Sequence, residues 1–296
     1  MDRSLKIAIG SLGVSVVVLA IKYAAYLLTG SIALYSDALE SIINVATAVA
    51  AIIAIRIAAT PADAEHPYGH SKAEYISAVV VGALIIVAAL AILREAYGAF
   101  LQPTPIETPW KGLTVSLAAT VLNALWSLNL IRQGRLHRSA ALVADGKHLM
   151  ADVVTSGGVL VGVVGVVLTG ILQLDAAIAA LVALHVLWSG WGVIRENTSG
   201  LLDEAVAPAE LEEIRRTISA HAGGALEVHA LRTRHAGRVT FIDFHLVVPG
   251  AMPTEQAHDI CDRIEDAIME MVPSANVTIH VEPERKVEQV GVPVVA

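Results

Sequence analysis

Long apolar runs fill the first two thirds of the chain and stop near Leu201; beyond that point hydrophobic and charged positions alternate on much shorter periods. A helix needs about 20 residues to cross the hydrocarbon core of a bilayer. Six segments meet that requirement: Ile7 to Leu28, Ile32 to Ile57, Ile76 to Leu93 with an extension toward Phe100, Leu113 to Ile131, Leu142 to Leu168, and Ile171 to Ile194. Thr29 to Ser31, Ala59 to Lys72, Gln102 to Pro109, Arg132 to Ser139 and a short junction at Gly170 separate them. These runs lack the polar face that a helix in a water-soluble bundle would need. The first one also lacks a small-x-small cleavage site, so it reads as a retained span and not as a signal peptide.

From Ala209 the periods change. Leu211 to Ile218 predicts an amphipathic helix, Ala225 to Thr233 and Val239 to Val247 predict strands, Thr254 to Met269 a second helix, and Ala275 to Val281 a last strand. Arg234 to Arg238 is the expected hairpin turn. The fold class is therefore an α-helical membrane protein of six transmembrane helices, followed by an α+β domain of order αββαβ, ferredoxin-like in layout. The expected division is a six-span membrane domain over residues 1–200 and a small soluble domain over 201–296. Arg3, Lys6, Arg56, Lys72, Arg132, Arg135, Arg138 and Arg195 flank one side of the spans, which by the positive-inside tendency places both termini in the cytoplasm.

Composition agrees with lipid as the solvent. Of the 296 residues, 55% are hydrophobic and 16% charged, against about 25% charged in a typical soluble domain. A net charge of −8 with no basic stripe excludes a nucleic-acid partner. One cysteine, Cys261, excludes an internal disulfide and a clustered-thiolate metal site.

Against that apolar background the polar residues inside the spans stand out, because each buried charge costs at least about 2.5 kcal/mol on insertion scales. Span 2 carries Asp37, Glu40 and Asn44; span 5 carries Asp145, His148 and Asp152. Glu40 with Asn44, and His148 with Asp152, are four apart and share a helix face. If the two faces meet, they offer three oxygens and one imidazole nitrogen, a shell suited to a first-row divalent ion. Interhelical hydrogen bonding is the other use of such residues; two matched pairs in separate spans favour a site. Asp37 and Asp145 are candidates for an outer shell or an access path. Close helix packing or sliding is open to Gly157, Gly158, Gly162 and Gly165.

The polar loop from Asp63 to Glu74 could bring Asp63 and His70 together on a surface ion. In the C-terminal part, His245 falls on the same strand face as Asp243, and His280 on the same face as Glu282. With His229 and His258 they form a candidate Zn(II)-like site.

Four segments in order carry a resemblance: Asp37 to Asn44, His66 to Glu74, His148 to Asp152, and the run from His229 through Arg234 to His245. On these the chain resembles the cation diffusion facilitators, the family of bacterial zinc and iron efflux proteins. The resemblance implies a homodimeric, proton-coupled antiporter of the bacterial inner membrane, with protons as counter-substrate and the lipid bilayer as surroundings. It exports a divalent transition metal, zinc first, with Fe, Mn, Co, Ni and Cd as further candidates, and is not an enzyme. It places the transport site at Glu40, Asn44, His148 and Asp152, a loop site at Asp63 and His70, and a binuclear cytoplasmic site at His229, His245, His280 and Glu282 with His258 nearby. It also pairs Lys72 with Asp203 in a salt bridge that holds the dimer near its pivot. Relatives commonly carry Asp or His at the position of Glu40 and Asp at that of Asn44; the amide keeps an oxygen but removes a charge. The rival readings are a metal-binding membrane scaffold of the same family without transport, a passive metal channel, and an intramembrane metallohydrolase, for which a four-ligand shell leaves no open position.

Overall fold

The structure, a computed structural model, describes residues 3–29, 32–102, 110–171, 173–286 and 292–293. The chain divides into two compact units, Met1–Thr198 and Ser199–Ala296.

Among the described residues the first unit holds six helices: α1 (Arg3–Thr29), α2 (Ile32–Ala58), α3 (Ala73–Leu101), α4 (Trp110–Leu136), α5 (Ala140–Thr169) and α6 (Gln173–Leu201). At 1.5 Å per residue each is about 40 Å long, enough to span the hydrocarbon core and project beyond it. The helices accordingly overrun the apolar segments that predict them; α6 continues from Ile194 to Leu201 and α3 begins at Ala73. In α1, α2, α3 and α6 the stretches Arg3–Ala24, Ser41–Ala58, Ala73–Leu101 and Ala176–Leu201 are long and apolar enough to cross a membrane. Parts of the apolar halves of α4 and α5 lie outside the residues whose side chains are described.

Helix α5 is the common member of two apolar clusters. One joins Ala51, Ala54 and Ile55 of α2 to Leu130 of α4 and Leu142 and Leu149 of α5. The other joins Ala78, Val81 and Ile85 of α3 to Ala144 of α5 and Val186 and Val193 of α6. Small residues permit the closest approaches. A Cβ on Gly146 would meet the Ile131 backbone nitrogen at 3.0 Å, and one on Gly158 would meet Val182 at 2.5 Å. Gly157 has nothing within 4 Å of that position, and Gly162 and Gly165 lie outside the residues whose side chains are described. The start of α5 is pinned as well: the Ser139 hydroxyl donates to buried Glu74 of α3, and the Ala141 N–H donates to the same carboxylate at 3.4 Å. A carboxylate at a helix N-terminus satisfies N–H groups that have no partner within the helix. Helix α5 is therefore fixed in height and rotation where its polar residues need it fixed.

The second unit contains α7 (Pro208–His221), β1 (Glu227–Ala236), β2 (Val239–Val248), α8 (Thr254–Met271) and β3 (Ala275–Pro283), the αββαβ order of the sequence. A two-residue strand, β4 (Val292–Pro293), pairs with the outer edge of β1 and was not foreseen from the sequence; sheet order is β3-β2-β1-β4. β1 and β2 are antiparallel, and β2 and β3 are parallel through the α8 crossover. The hairpin turn is tighter than predicted. Ala236 pairs with Val239, so only Gly237 and Arg238 are left to turn the chain, and Gly237 takes φ +60. A glycine with positive φ at the first central position is the II′ solution for a two-residue hairpin.

Ile214 and Ile218 of α7, Ile260, Ile264 and Ile268 of α8, and Ile242, Phe244 and Leu246 of β2 form one core. Both helices thus cover one face of the sheet. The opposite face carries the alternate residues, and these include the histidines.

Candidate metal centres

In the membrane unit α2 and α5 meet as the i,i+4 spacing requires. The Asn44 amide donates to Asp152 Oδ2 at 2.7 Å in a buried setting. Asn44 is 1% exposed, His148 3% and Asp152 9%, so these three polar residues face the protein interior. Asn44 Oδ1 has no hydrogen-bond partner among the described residues. Glu40 and Asp37 belong to the α2 backbone, but their side chains lie outside the described residues. Nearer the start of α5, Asp145 ties three helices together: it accepts from Ser11 of α1 at 2.7 Å and from Thr47 of α2 at 3.1 Å.

The loop between α2 and α3 is organised around Asp63. Its Oδ1 accepts the backbone N–H groups of Glu65 at 3.0 Å and His66 at 2.7 Å. Gly69, at φ +81, completes the turn that returns His70 to the same place. His70 Nε2 stands 3.5 Å from Asp63 Oδ2 and 3.1 Å from His66 Nδ1. Backbone donation, from His66 above all, holds the Asp63 carboxyl below the usual carboxylate range, which keeps it in its ligating form.

The second unit presents a row of imidazoles. Strand register puts His229 opposite His245 and His245 opposite His280, with ring centroids 5.1 and 4.9 Å apart. Glu282, two residues beyond His280, reaches back over the row. Its Oε2 lies 3.3 Å from His229 Nε2 and 3.6 Å from His245 Nδ1, and its Oε1 3.6 Å from His280 Nε2. A tetrahedral shell with bonds of about 2.05 Å has ligand-to-ligand edges of about 3.3 Å. The separations around Glu282 match such an edge, and those around Asp63 do so nearly as well. His229, His245 and Glu282 converge within 4.8 Å of one another, as do Asp63, His66 and His70.

Comparison with known proteins decides the family. The pattern described as the cation efflux transmembrane domain matches residues 8–202, and that of the cation efflux protein cytoplasmic domain matches residues 206–284. The chain belongs to the cation diffusion facilitator family.

As a cation diffusion facilitator it is a multi-pass membrane transporter of divalent transition-metal cations and not an enzyme, and its His/Glu cluster is a divalent-metal binding site. It is 44% identical over 276 residues to the transporter sll1263 of Synechocystis, covering 93% of this chain and 89% of that one. It is 30% identical to the cation-efflux pump FieF of Salmonella typhimurium, over 93% of this chain and 91% of the relative. Among solved structures, the zinc form of the transporter CzrB shares 46% identity, covering 29% of this chain and 99% of that one, with a TM-score of 0.28.

Not every residue singled out in this facilitator joins a cluster. His258 sits exposed on α8 with Nε2 3.7 Å from Asp262, one helical turn along, and its ligand atoms are not in the group formed by His229, His245 and Glu282. Asp203 accepts from Arg234 at 3.0 Å inside the second unit, while Lys72 belongs to the first. Two participants escaped the sequence reading. His66 completes the loop cluster; its signal was the Asp63-x-x-His66-x-x-x-His70 spacing. Glu227, buried beside His229, gave only the period-2 alternation of a strand.

Proposed function

We propose that this facilitator exports Zn(II) from the bacterial cytoplasm across the inner membrane in exchange for protons. The Asn44–Asp152 contact between α2 and α5, beside buried His148, is the observation that supports this reading most directly. Glu40, Asn44, His148 and Asp152 bind the ion in an inward-facing state; rearrangement exposes it outward; protonation of His148 or a carboxylate then releases it. Imidazole suits this exchange because it ligates only when neutral and has an unperturbed pKa near 6.5. Fe(II), Co(II), Mn(II), Ni(II) and Cd(II) are the competing substrates, since affinity order alone does not set selectivity. Asp37 and Asp145 line the path of the ion.

The working unit is a homodimer with both termini cytoplasmic. Residues 1–200 transport, and residues 201–296 sense metal through His229, His245, His280 and Glu282. His258 completes that shell only if it moves or acts from a second protomer. Within the second unit Arg234 holds Asp203 in place. Asp63, His66 and His70 form an accessory site at the cytoplasmic surface.

Purified protein in proteoliposomes, loaded with a metal-sensitive dye and challenged with each cation under imposed proton gradients, tests the proposal. Zinc flux that follows the proton gradient and is lost in Asp152→Ala is the expected outcome. Metal binding without flux of any cation would favour the scaffold reading, and zinc flux indifferent to the proton gradient would remove the coupling.

A further inference from the structure

We propose that Glu227 is a positioning residue of the cytoplasmic metal site, fixing His229 with one ring nitrogen turned outward and the other offered to the ion. The inference rests on the assignment of His229, His245 and Glu282 as metal ligands.

β1 carries Glu227 and His229 two residues apart, on the sheet face that α7 and α8 leave uncovered. Register places both acids in one row: Glu227 and Glu282 each stand opposite Val247, from either side of β2. The neighbouring row is His229, His245 and His280. A carboxylate thus flanks the imidazole row at each end, but the two differ in reach. Glu282 contacts Nε2 of His229 at 3.3 Å, whereas Glu227 Oε1 contacts Nδ1 of the same ring at 2.9 Å.

Those two distances assign different roles. A separation of 2.9 Å is an ordinary N–H···O hydrogen bond. The Nδ1 proton is directed to Glu227, which leaves the Nε2 lone pair pointing toward Glu282 at a separation that fits an intervening ion. A ligating histidine whose second nitrogen donates to a carboxylate is fixed in tautomer and orientation, and becomes a better ligand. Burial makes the restraint stiff: Glu227 is 5% and His229 7% exposed.

The test uses the full chain in detergent, with His148→Ala and His70→Ala introduced so that the cytoplasmic site dominates binding. Cobalt(II) absorption reports ligand geometry, and competition with a chromophoric chelator reports zinc affinity. Glu227→Ala is expected to weaken zinc binding about 10- to 100-fold and to change the cobalt spectrum. Glu227→Gln, whose amide oxygen still accepts from Nδ1–H, is expected to restore the spectrum and most of the affinity. Thermal unfolding of the metal-free variants reports whether both remain folded, and the Gln variant carries the test if the Ala variant does not. Binding that depends on His245 but is untouched by Glu227→Ala overturns this inference alone, as does a Gln variant as impaired as the Ala variant. Binding indifferent to His245→Ala overturns the metal site itself.

Discussion

The most informative perturbation of the membrane site is Asn44→Asp. In the structure the Asn44 amide meets Asp152 Oδ2 at 2.7 Å, donor facing acceptor. The substitution sets an anionic oxygen in place of the donor. Two unit charges at such a separation repel by about 6 kcal/mol at an effective dielectric of about 20. That is more than four powers of ten in a proton equilibrium. The empty variant relieves the repulsion by holding one proton between the two carboxylates, as paired acids do. An arriving ion must displace that proton. In the wild type the amide has none to give.

The assay counts protons. Wild type and variant, both carrying His70→Ala and His245→Ala to weaken the other sites, are titrated with zinc in weakly buffered detergent containing a pH indicator. The variant is expected to release about one additional proton per bound ion, and its logarithmic affinity to rise about one unit more steeply per pH unit. In proteoliposomes the same change should raise the dependence of flux on the proton gradient. An unchanged proton count together with an unchanged slope would refute the reasoning, because it would mean that position 44 and Asp152 do not face one ion.

Three further outcomes are expected. Ala230 takes φ +52 in the irregularity between His229 and Arg232; Ala230→Gly should stabilise the second unit by about 1 kcal/mol, and Ala230→Val should destabilise it, as read by thermal unfolding. Thr47→Val removes a hydroxyl from buried Asp145 with little change of shape; it should cost about 1 to 3 kcal/mol of stability in detergent, and an unaltered unfolding midpoint would deny Asp145 its role in tying α1, α2 and α5 together. Burial, with Glu265 and Asp262 adding to it, pushes the Cys261 thiol up; maleimide labelling at neutral pH should be slow in the native protein and fast after denaturation.

What the sequence disclosed depended on how local the determining physics is. Long apolar helices are set by composition over about 20 residues, so all six could be read directly, with errors only where they run past the apolar stretch. Among the described residues four are long and apolar enough to cross a membrane. The meeting of Asn44 with Asp152 was legible because helical spacing fixes a face and burial cost implies an interior. In the second unit the helices and strands were visible from their periods, but what each histidine faces is a matter of register between β1, β2 and β3, which separate stretches of chain do not reveal. Hence the row of His229, His245 and His280 could be suspected, while Glu227 could not be distinguished from any other strand carboxylate. His66 went unrecognised for a related reason: its approach to His70 needs the reversal at Gly69, which a list of ligand types does not contain.

The three centres differ in what must break when an ion binds. At Asp63 the two backbone N–H groups occupy Oδ1, and Oδ2 is the atom turned to His70. At His229 the carboxylate of Glu227 occupies Nδ1, and Nε2 is turned to Glu282. At His229 the holding bond uses an atom that the ion does not need, so that ligand is organised in advance at no cost to binding. In the loop Asp63 is held likewise, but His66 Nδ1 and His70 Nε2, both ligand atoms, hydrogen-bond to each other at 3.1 Å. At the membrane site the bond joins two of the proposed ligands to each other, Asn44 to Asp152, and the amide must turn its oxygen inward before it can ligate. Losing a hydrogen bond to a charged group costs about 1.5 to 3 kcal/mol, or roughly ten- to a hundredfold in affinity. The empty membrane site is thereby stable in its own right, and its occupied form is correspondingly easier to discharge. A carrier has to let go of its substrate, whereas the cytoplasmic cluster, proposed above as a sensor, has to register it at low concentration. The transport site should therefore bind zinc more weakly and exchange it faster than the cytoplasmic cluster, an order that competition titrations on Asp152→Ala and His245→Ala would reverse if the holding bonds were of no consequence.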